Sequence, residues 1–155
     1  MRERPDLVTE ASPKGLEVFQ LTTDELPSSH IYMEAQIFTP DSSRFILHRS
    51  AHAHGSDSHD PDHKLLICDL ENDGELSPIT EELGATAPSV SPDNTTLYYF
   101  INDTQVGSGT LTLKRVNLDG TDRRTILAIN GAILGTDFRL SHPYGLSTIS
   151  SDGKR

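Results

Sequence analysis

The sequence predicts an all-β protein made of β-propeller blades of four antiparallel strands, with two blades and the start of a third. A short turn motif occurs three times, at intervals of the order of one blade, roughly 50 residues. Runs of strand-forming residues flank the copies, and no segment has the apolar spacing of an amphipathic helix. The three copies are Thr39-Pro40-Asp41, Ser91-Pro92-Asp93 and Ser150-Ser151-Asp152.

The repeated motif has the chemistry of a hairpin turn. Each copy places a hydroxyl residue two positions before an Asp, and further turn-forming residues follow. Proline presets the backbone for a turn, and an Asp side chain accepts hydrogen bonds from nearby backbone N–H groups. A second turn also recurs, because an Asp-Gly turn follows each of two strand-forming runs, Leu65–Leu70 and Leu111–Leu118. We therefore expect both kinds of turn to join strands within one blade.

The strands follow in order along the chain. Residues 1–15 are a predicted N-terminal extension, and residues 16–155 are a predicted incomplete β-propeller that opens with a closing strand near 18–22. Blade one spans about 31–80, with strands near 31–38, 44–50, 64–70 and 76–80. Blade two spans about 86–129, with strands near 86–90, 96–101, 110–118 and 123–129. The start of blade three covers about 143–155. A single antiparallel sandwich of eight strands is the alternative.

The number of blades indicates a longer protein. A closed propeller has about 4–8 blades, and exposed blade edges are normally avoided. We therefore expect this chain to be the N-terminal portion of a larger propeller, inactive and prone to association by itself. The hydrophobic fraction of 34% agrees with blades that bury their faces on neighbours.

Composition excludes several classes of protein. The formal net charge of −10 argues against nucleic-acid binding, which needs a basic surface. Cys68 is the only cysteine, so no intrachain disulfide forms. No apolar run is long enough for a signal peptide or a membrane span. We expect a cytoplasmic protein with neither a membrane nor a nucleic-acid partner.

Several segments together resemble the N-terminal blade of oligogalacturonate lyases, which are seven-bladed propellers built from TolB-type repeats. The segments are Phe19-Gln20-Leu21-Thr22, Ser29-His30-Ile31-Tyr32, Phe38-Thr39-Pro40-Asp41, Arg44-Phe45-Ile46-Leu47 and Leu66-Ile67-Cys68-Asp69-Leu70. The resemblance covers about residues 16–155. The family often has a second His where this chain has Ile31, and the histidine-rich insertion at 48–63 is unusual for it.

The resemblance implies cleavage of short oligogalacturonides, which are pectin fragments, by β-elimination. A base removes the proton at C5 of the uronic acid, and a cation stabilises the charge that develops beside it. The family holds a divalent metal such as Mn²⁺ with residues of later blades, so its ligands and the catalytic residues are expected beyond residue 155. The expected partner is therefore an oligogalacturonide.

Three residues of this chain are candidate substrate-binding residues: His30, Arg49 and His52. His30 is expected on the inner strand of blade one, and inner strands line the central cleft. Arg49 and His52 belong to the nearest basic group, which a polyanionic substrate needs in so acidic a chain. Arg49 is equally compatible with an inter-blade ion pair.

Two questions stay open from the sequence. Five of the seven histidines fall within residues 48–63, where His48, His52 and His54 would share a face of an extended strand. Such a cluster can ligate Zn²⁺, but Gly55, Ser56, Ser58 and Pro61 favour a polar loop, so we predict no metal site there. The alternative function is a non-catalytic TolB-like propeller that acts as a protein-interaction or peptidase-gating domain.

Overall fold

The structure, a computed structural model, describes residues 1–50, 57–104, 108–139 and 146–154. Its regular secondary structure is all β, apart from a 3-10 turn at Pro5–Leu7. Its strands are β1 (Arg2–Glu3), β2 (Phe19–Gln20), β3 (Ser28–His30), β4 (Arg44–Arg49), β5 (Lys64–Asp69), β6 (Glu75–Pro78), β7 (Ala85–Val90), β8 (Thr96–Asn102), β9 (Leu111–Asn117) and β10 (Arg124–Ile129).

Two four-stranded antiparallel sheets form the body of the molecule, and each uses consecutive strands. The first blade has the order β3-β4-β5-β6, and the second has the order β7-β8-β9-β10. Seven of the eight strands predicted for the two blades lie within one or two residues of their predicted bounds. The runs of strand-forming residues between the recurring turns therefore located these strands correctly.

The predicted strand near 31–38 is wrong, because the inner strand of the first blade is interrupted. β3 ends at His30, and the chain then turns, with the Ala35 N–H donating to Tyr32 O at 2.9 Å. Pairing with β4 resumes further on, where the Ile46 N–H donates to Ile37 O at 3.0 Å. The second blade has a smaller irregularity in its inner strand, where the register shifts and Ala87 has a φ of 50°.

The three repeated turns share one hydrogen-bond pattern, as their sequence predicts. Thr39 Oγ1 donates to Asp41 Oδ1 at 2.6 Å, and the Ser43 N–H donates to the same oxygen at 3.0 Å. Ser91 and Asp93 repeat this geometry at 2.6 Å. The same short bond joins the third hydroxyl–Asp pair, Ser150 and Asp152, at 2.6 Å.

Segments of all three repeats meet at Gln36, in the interruption of the first blade's inner strand. Its backbone oxygen accepts from the Val90 N–H at 2.8 Å, which joins the first blade to the second. Its side-chain Oε1 accepts from Ser89 Oγ at 3.4 Å and from the Ile149 N–H at 3.1 Å. The third repeat therefore lies beside the first two, which is the arrangement of propeller blades and not of a two-sheet sandwich.

One hydrophobic core runs through both blades. Its fully buried members come from facing strands of the two sheets and include Ile46, Leu65, Leu97, Tyr99 and Val116. The N-terminal residues lie against the first blade, where the amino group of Met1 pairs with Asp73 at 3.2 Å. Within the described residues, β2 pairs with β1 and with no blade strand.

Among the described residues, no helix has the length and apolar character needed to cross a membrane.

Candidate functional site

Histidines concentrate at the end of the blades opposite the repeated Asp turns. Antiparallel pairing brings the end of β4, the start of β5 and the end of β8 to this edge. We call it the histidine end and define it by residues 28–30, 48–50, 57–63, 84 and 102–104. It contains two of the three predicted substrate-binding residues, and the third, His52, lies outside the described residues.

His30 presents an exposed imidazole at the end of the inner strand β3. Its Nδ1 lies 3.0 Å from Ile31 O, and a carbonyl only accepts, so Nδ1 carries the proton of this bond. The Nε2 atom then accepts a hydrogen bond when the ring is neutral and donates one when the ring is protonated. The ring also lies 6.3 Å from that of Phe38, which stacks on Phe45 at 5.1 Å.

Arg49 forms an ion pair with Asp24, a residue of the segment that precedes the first blade. Its side chain is 20% exposed, and its Nε is buried without a hydrogen-bond partner. The sequence left two interpretations of Arg49 open, substrate binding and an inter-blade ion pair. The structure shows an ion pair, but its partner Asp24 precedes the first blade and does not belong to a neighbouring blade. A substrate carboxylate would have to replace Asp24 to engage this guanidinium.

His48 and His63 form an imidazole pair, with ring centroids 5.0 Å apart in an edge-on arrangement, and His48 is half-buried. His63 is only 2% exposed, and its Nε2 donates to Ala85 O at 3.1 Å across the blade interface. Burial, and then the neighbouring His63 and His30, lower the pKa of His48 to about 4. Burial also lowers the pKa of His63, although its bond to Ala85 acts in the opposite direction. Both rings are therefore neutral at pH 7.

The segment 57–63 crosses from the first blade onto the second. The Gly84 N–H donates to Ser58 O at 2.6 Å, and His59 Nε2 lies 3.5 Å from Asp103 Oδ1. Asp57 caps the turn by accepting from the His59 N–H at 2.9 Å. This segment therefore holds His63 in the seam between the two blades.

Glu82 connects the blades through a charged network on the β6–β7 connection. Its carboxylate accepts from Lys114 Nζ, from Arg123 NH1 at 2.9 Å and from Tyr99 Oη at 3.2 Å. Burial alone would raise the pKa of Glu82, but the hydrogen bond from Lys114 and neighbouring backbone N–H groups outweigh it and lower the pKa to about 2. Burial and the Glu82 charge raise the pKa of Tyr99.

Sequence reasoning missed three of these features: the Asp24 partner of Arg49, the Glu82 network and the His48–His63 pair. A signal for the pair was present in β4, where His48 shares the alternation of the buried Ile46 and so faces inward. The partners in the other two cases lie far apart in the sequence, and no local pattern links them.

No protein-family model and no curated protein matches the chain. Among solved structures, the chain is similar to TolB from Acinetobacter baumannii, with a TM-score of 0.49 and 16% sequence identity. The similarity covers 86% of this chain and 38% of that one, so the chain spans well under half of that protein's length.

Proposed function

We propose that this chain contributes the opening blades of a cytoplasmic propeller lyase that cleaves short oligogalacturonides by β-elimination. The observation that supports the proposal is the exposed imidazole of His30 at the end of the inner strand β3. Its Nδ1 is engaged by Ile31 O, so Nε2 is oriented and available to a ligand. Two residues that carry the family resemblance, Ser29 and Tyr32, lie around this position.

His30 would position the uronic acid rather than complete the chemistry. A neutral ring accepts a hydrogen bond from a sugar hydroxyl at Nε2, and a protonated ring donates to a carboxylate there. Arg49 would add a cation only on releasing Asp24. Within the described ranges, no three His, Cys, Asp or Glu side chains are grouped to hold a metal ion. The ligands of the Mn²⁺ that the resemblance implies are expected beyond residue 155, so no step is assigned to that ion.

The test is His30→Ala in the full-length propeller, with digalacturonate as substrate and the absorbance of the unsaturated product as the signal. Losing a hydrogen bond to a charged group costs about 1.5–3 kcal/mol, which is about a 10- to 160-fold loss in kcat/KM. His59→Ala is the matched control, because that exposed ring already pairs with Asp103. Equal kcat/KM in the parent and His30→Ala, with a lowered Tm, would contradict the proposal.

A second candidate is a non-catalytic propeller that serves as a protein-interaction domain. It is favoured by large apolar side chains exposed along one segment, of which Leu134 is 100% exposed and Phe138 is 61% exposed. Ile126 and Leu127 on the edge strand β10 are about half exposed. No turnover of oligogalacturonides by the parent full-length protein would favour this candidate over the lyase.

A further inference from the structure

Gln36 lies at the inner edge of the blades, where the sheets leave backbone groups unpaired. Val90 stands opposite Leu97 in the pairing of β7 with β8, yet its N–H donates to Gln36 O at 2.8 Å. A residue has one backbone N–H, so that of Val90 points away from β8. Gln36 therefore occupies the free edge of the first strand of the second blade. In a propeller, the blades surround a central channel, and their first strands lie next to it.

Three hydrogen bonds fix the orientation of the Gln36 amide. Its Oε1 accepts from the Ile149 N–H at 3.1 Å, from Thr148 Oγ1 at 3.3 Å and from Ser89 Oγ at 3.4 Å. A backbone N–H only donates, so the atom that faces Ile149 is the amide oxygen. An amide oxygen has two lone pairs, and three donors leave it no capacity for a further ligand.

The nitrogen of the same amide is open. Among the described residues, Gln36 Nε2 has no hydrogen-bond partner, and it is not one of the buried unpaired atoms, so solvent reaches it. An amide nitrogen carries two hydrogens and accepts no hydrogen bond. The structure therefore holds two N–H donors in a fixed direction at the inner edge. The group that suits them is an oxygen that only accepts.

The inner strands of both blades depart from regular geometry around this amide. Gln36 lies in the interruption that follows His30 in the first blade. In the second blade the register shifts at Ala87, a non-glycine residue with a φ of 50°. Bulges in strands re-aim side chains and are frequent next to active sites, and strained backbone concentrates at ligand-binding positions. Two independent irregularities therefore meet where the amide is held.

We propose that Gln36 binds a carboxylate of an acidic sugar through Nε2. The carboxylate follows from the two N–H donors, because hydrogen bonds to a charged acceptor are stronger than those to a neutral one. The choice of a sugar rests on the proposed function. Sequence reasoning did not identify Gln36, because two of the groups that orient its amide follow it by 53 and 113 positions.

The first test titrates the chain with digalacturonate and follows the side-chain amide signals of its three Gln residues by ¹H–¹⁵N NMR. The Gln36 amide signals are expected to shift on binding. Those of Gln20 are expected to stay in place, because Gln20 Nε2 already donates to Thr22 O at 2.9 Å. A Gln36 that only stabilises the fold would give no such shift, so this measurement separates binding from structural support.

The second test measures the affinity of Gln36→Glu for digalacturonate by calorimetry. Glutamate keeps an oxygen for the Ile149 N–H, but it replaces both N–H donors by a charged acceptor. Binding should weaken at least about tenfold, because a hydrogen bond to a charged group is lost and a like charge faces the ligand. Gln20→Glu is the matched control, since it makes the same charge change on β2, and we expect parent affinity.

The proposal is overturned if the chain does not bind digalacturonate, or if it binds while the Gln36 amide signals stay in place. It is also overturned if Gln36→Glu, shown to be folded by circular dichroism, binds with parent affinity; if that variant does not fold, the amide signals decide. Turnover in the full-length propeller with unmoved Gln36 signals rejects only this inference. Binding that depends on Gln36 without any turnover rejects only the lyase.

Discussion

Replacing Glu82 by Gln should weaken the contact between the two blades in a pH-dependent way. The carboxylate is 26% exposed and joins Lys114 and Arg123 of the second blade to the β6–β7 connection. Glutamine keeps the shape and one acceptor oxygen, but it removes the charge that both cations face. Glu81→Gln is the matched control, because Glu81 is 83% exposed and lies 3.7 Å from the same Arg123.

The magnitude follows from the pKa of Glu82. Its value falls from 4.5 to about 2 on folding, and each unit is about 1.4 kcal/mol, so the charged form contributes up to about 3 kcal/mol. A carboxylate with a lowered pKa contributes this stability above its unfolded value of 4.5. The contribution is lost as the pH falls through about 2. At pH 7 the Gln variant should therefore lose about 2–3 kcal/mol, or roughly 4–12 °C in Tm.

The assay is urea unfolding from pH 7 to pH 2.5, followed by far-ultraviolet circular dichroism and tyrosine fluorescence, since the chain has four Tyr and no Trp. The difference between the parent and Glu82→Gln should be constant near neutral pH and shrink below about pH 4.5. Glu81→Gln should stay within about 0.5 kcal/mol of the parent. A Glu82→Gln effect below that size, or one that does not change with pH, would refute the reasoning.

Two further predictions concern the packing at the blade interface and in the core. Gly84 has a φ of 76°, and an added Cβ would lie 3.1 Å from Asn102 O and 3.3 Å from His59 Nε2. Gly84→Ala should lower the free energy of unfolding by about 1–3 kcal/mol. Gly120→Ala should cost less, because Gly120 has a φ of 84° but an added Cβ there meets open space. Equal losses of the two variants in urea titrations would disprove the packing argument. Cys68 is fully buried and burial raises the pKa of its thiol, so a chromogenic disulfide reagent should react with it far more slowly in buffer than in urea. Similar rates in both conditions would show that the first blade opens readily.

Local chemistry is the part of this protein that the sequence predicts well. Asp41 and Asp93 each follow a hydroxyl residue by two positions, and both accept the predicted side-chain and backbone hydrogen bonds. Those bonds lower the pKa of Asp41 to about 2, the Thr39 hydroxyl being the largest cause. Such turns involve residues within five positions of one another, so the covalent chain alone brings their groups together.

The inner strand of the first blade shows where local pattern is insufficient. Residues 31–38 contain strand-forming Ile31, Tyr32 and Phe38, and the sequence predicts one continuous strand. Pairing with β4 is instead divided between His30 opposite Leu47 and Phe38 opposite Phe45, with the intervening residues looped out. An insertion of this kind leaves the propensities of its residues unchanged, so only the register of the partner strand reveals it.

The candidate sites depended on tertiary structure almost entirely. The sequence identified His30 and Arg49 as candidates, but Asp24 became the partner of Arg49 only because the segment before the first blade folds back along it. His48 and His63 are joined by the register of β4 with β5, and His63 is oriented by Ala85 of the next blade. The composition and turns of this chain determine that it forms blades, because those features act over a few residues. Which charges and imidazoles meet is decided by strand register and blade packing, which bring together groups that the sequence holds tens of residues apart.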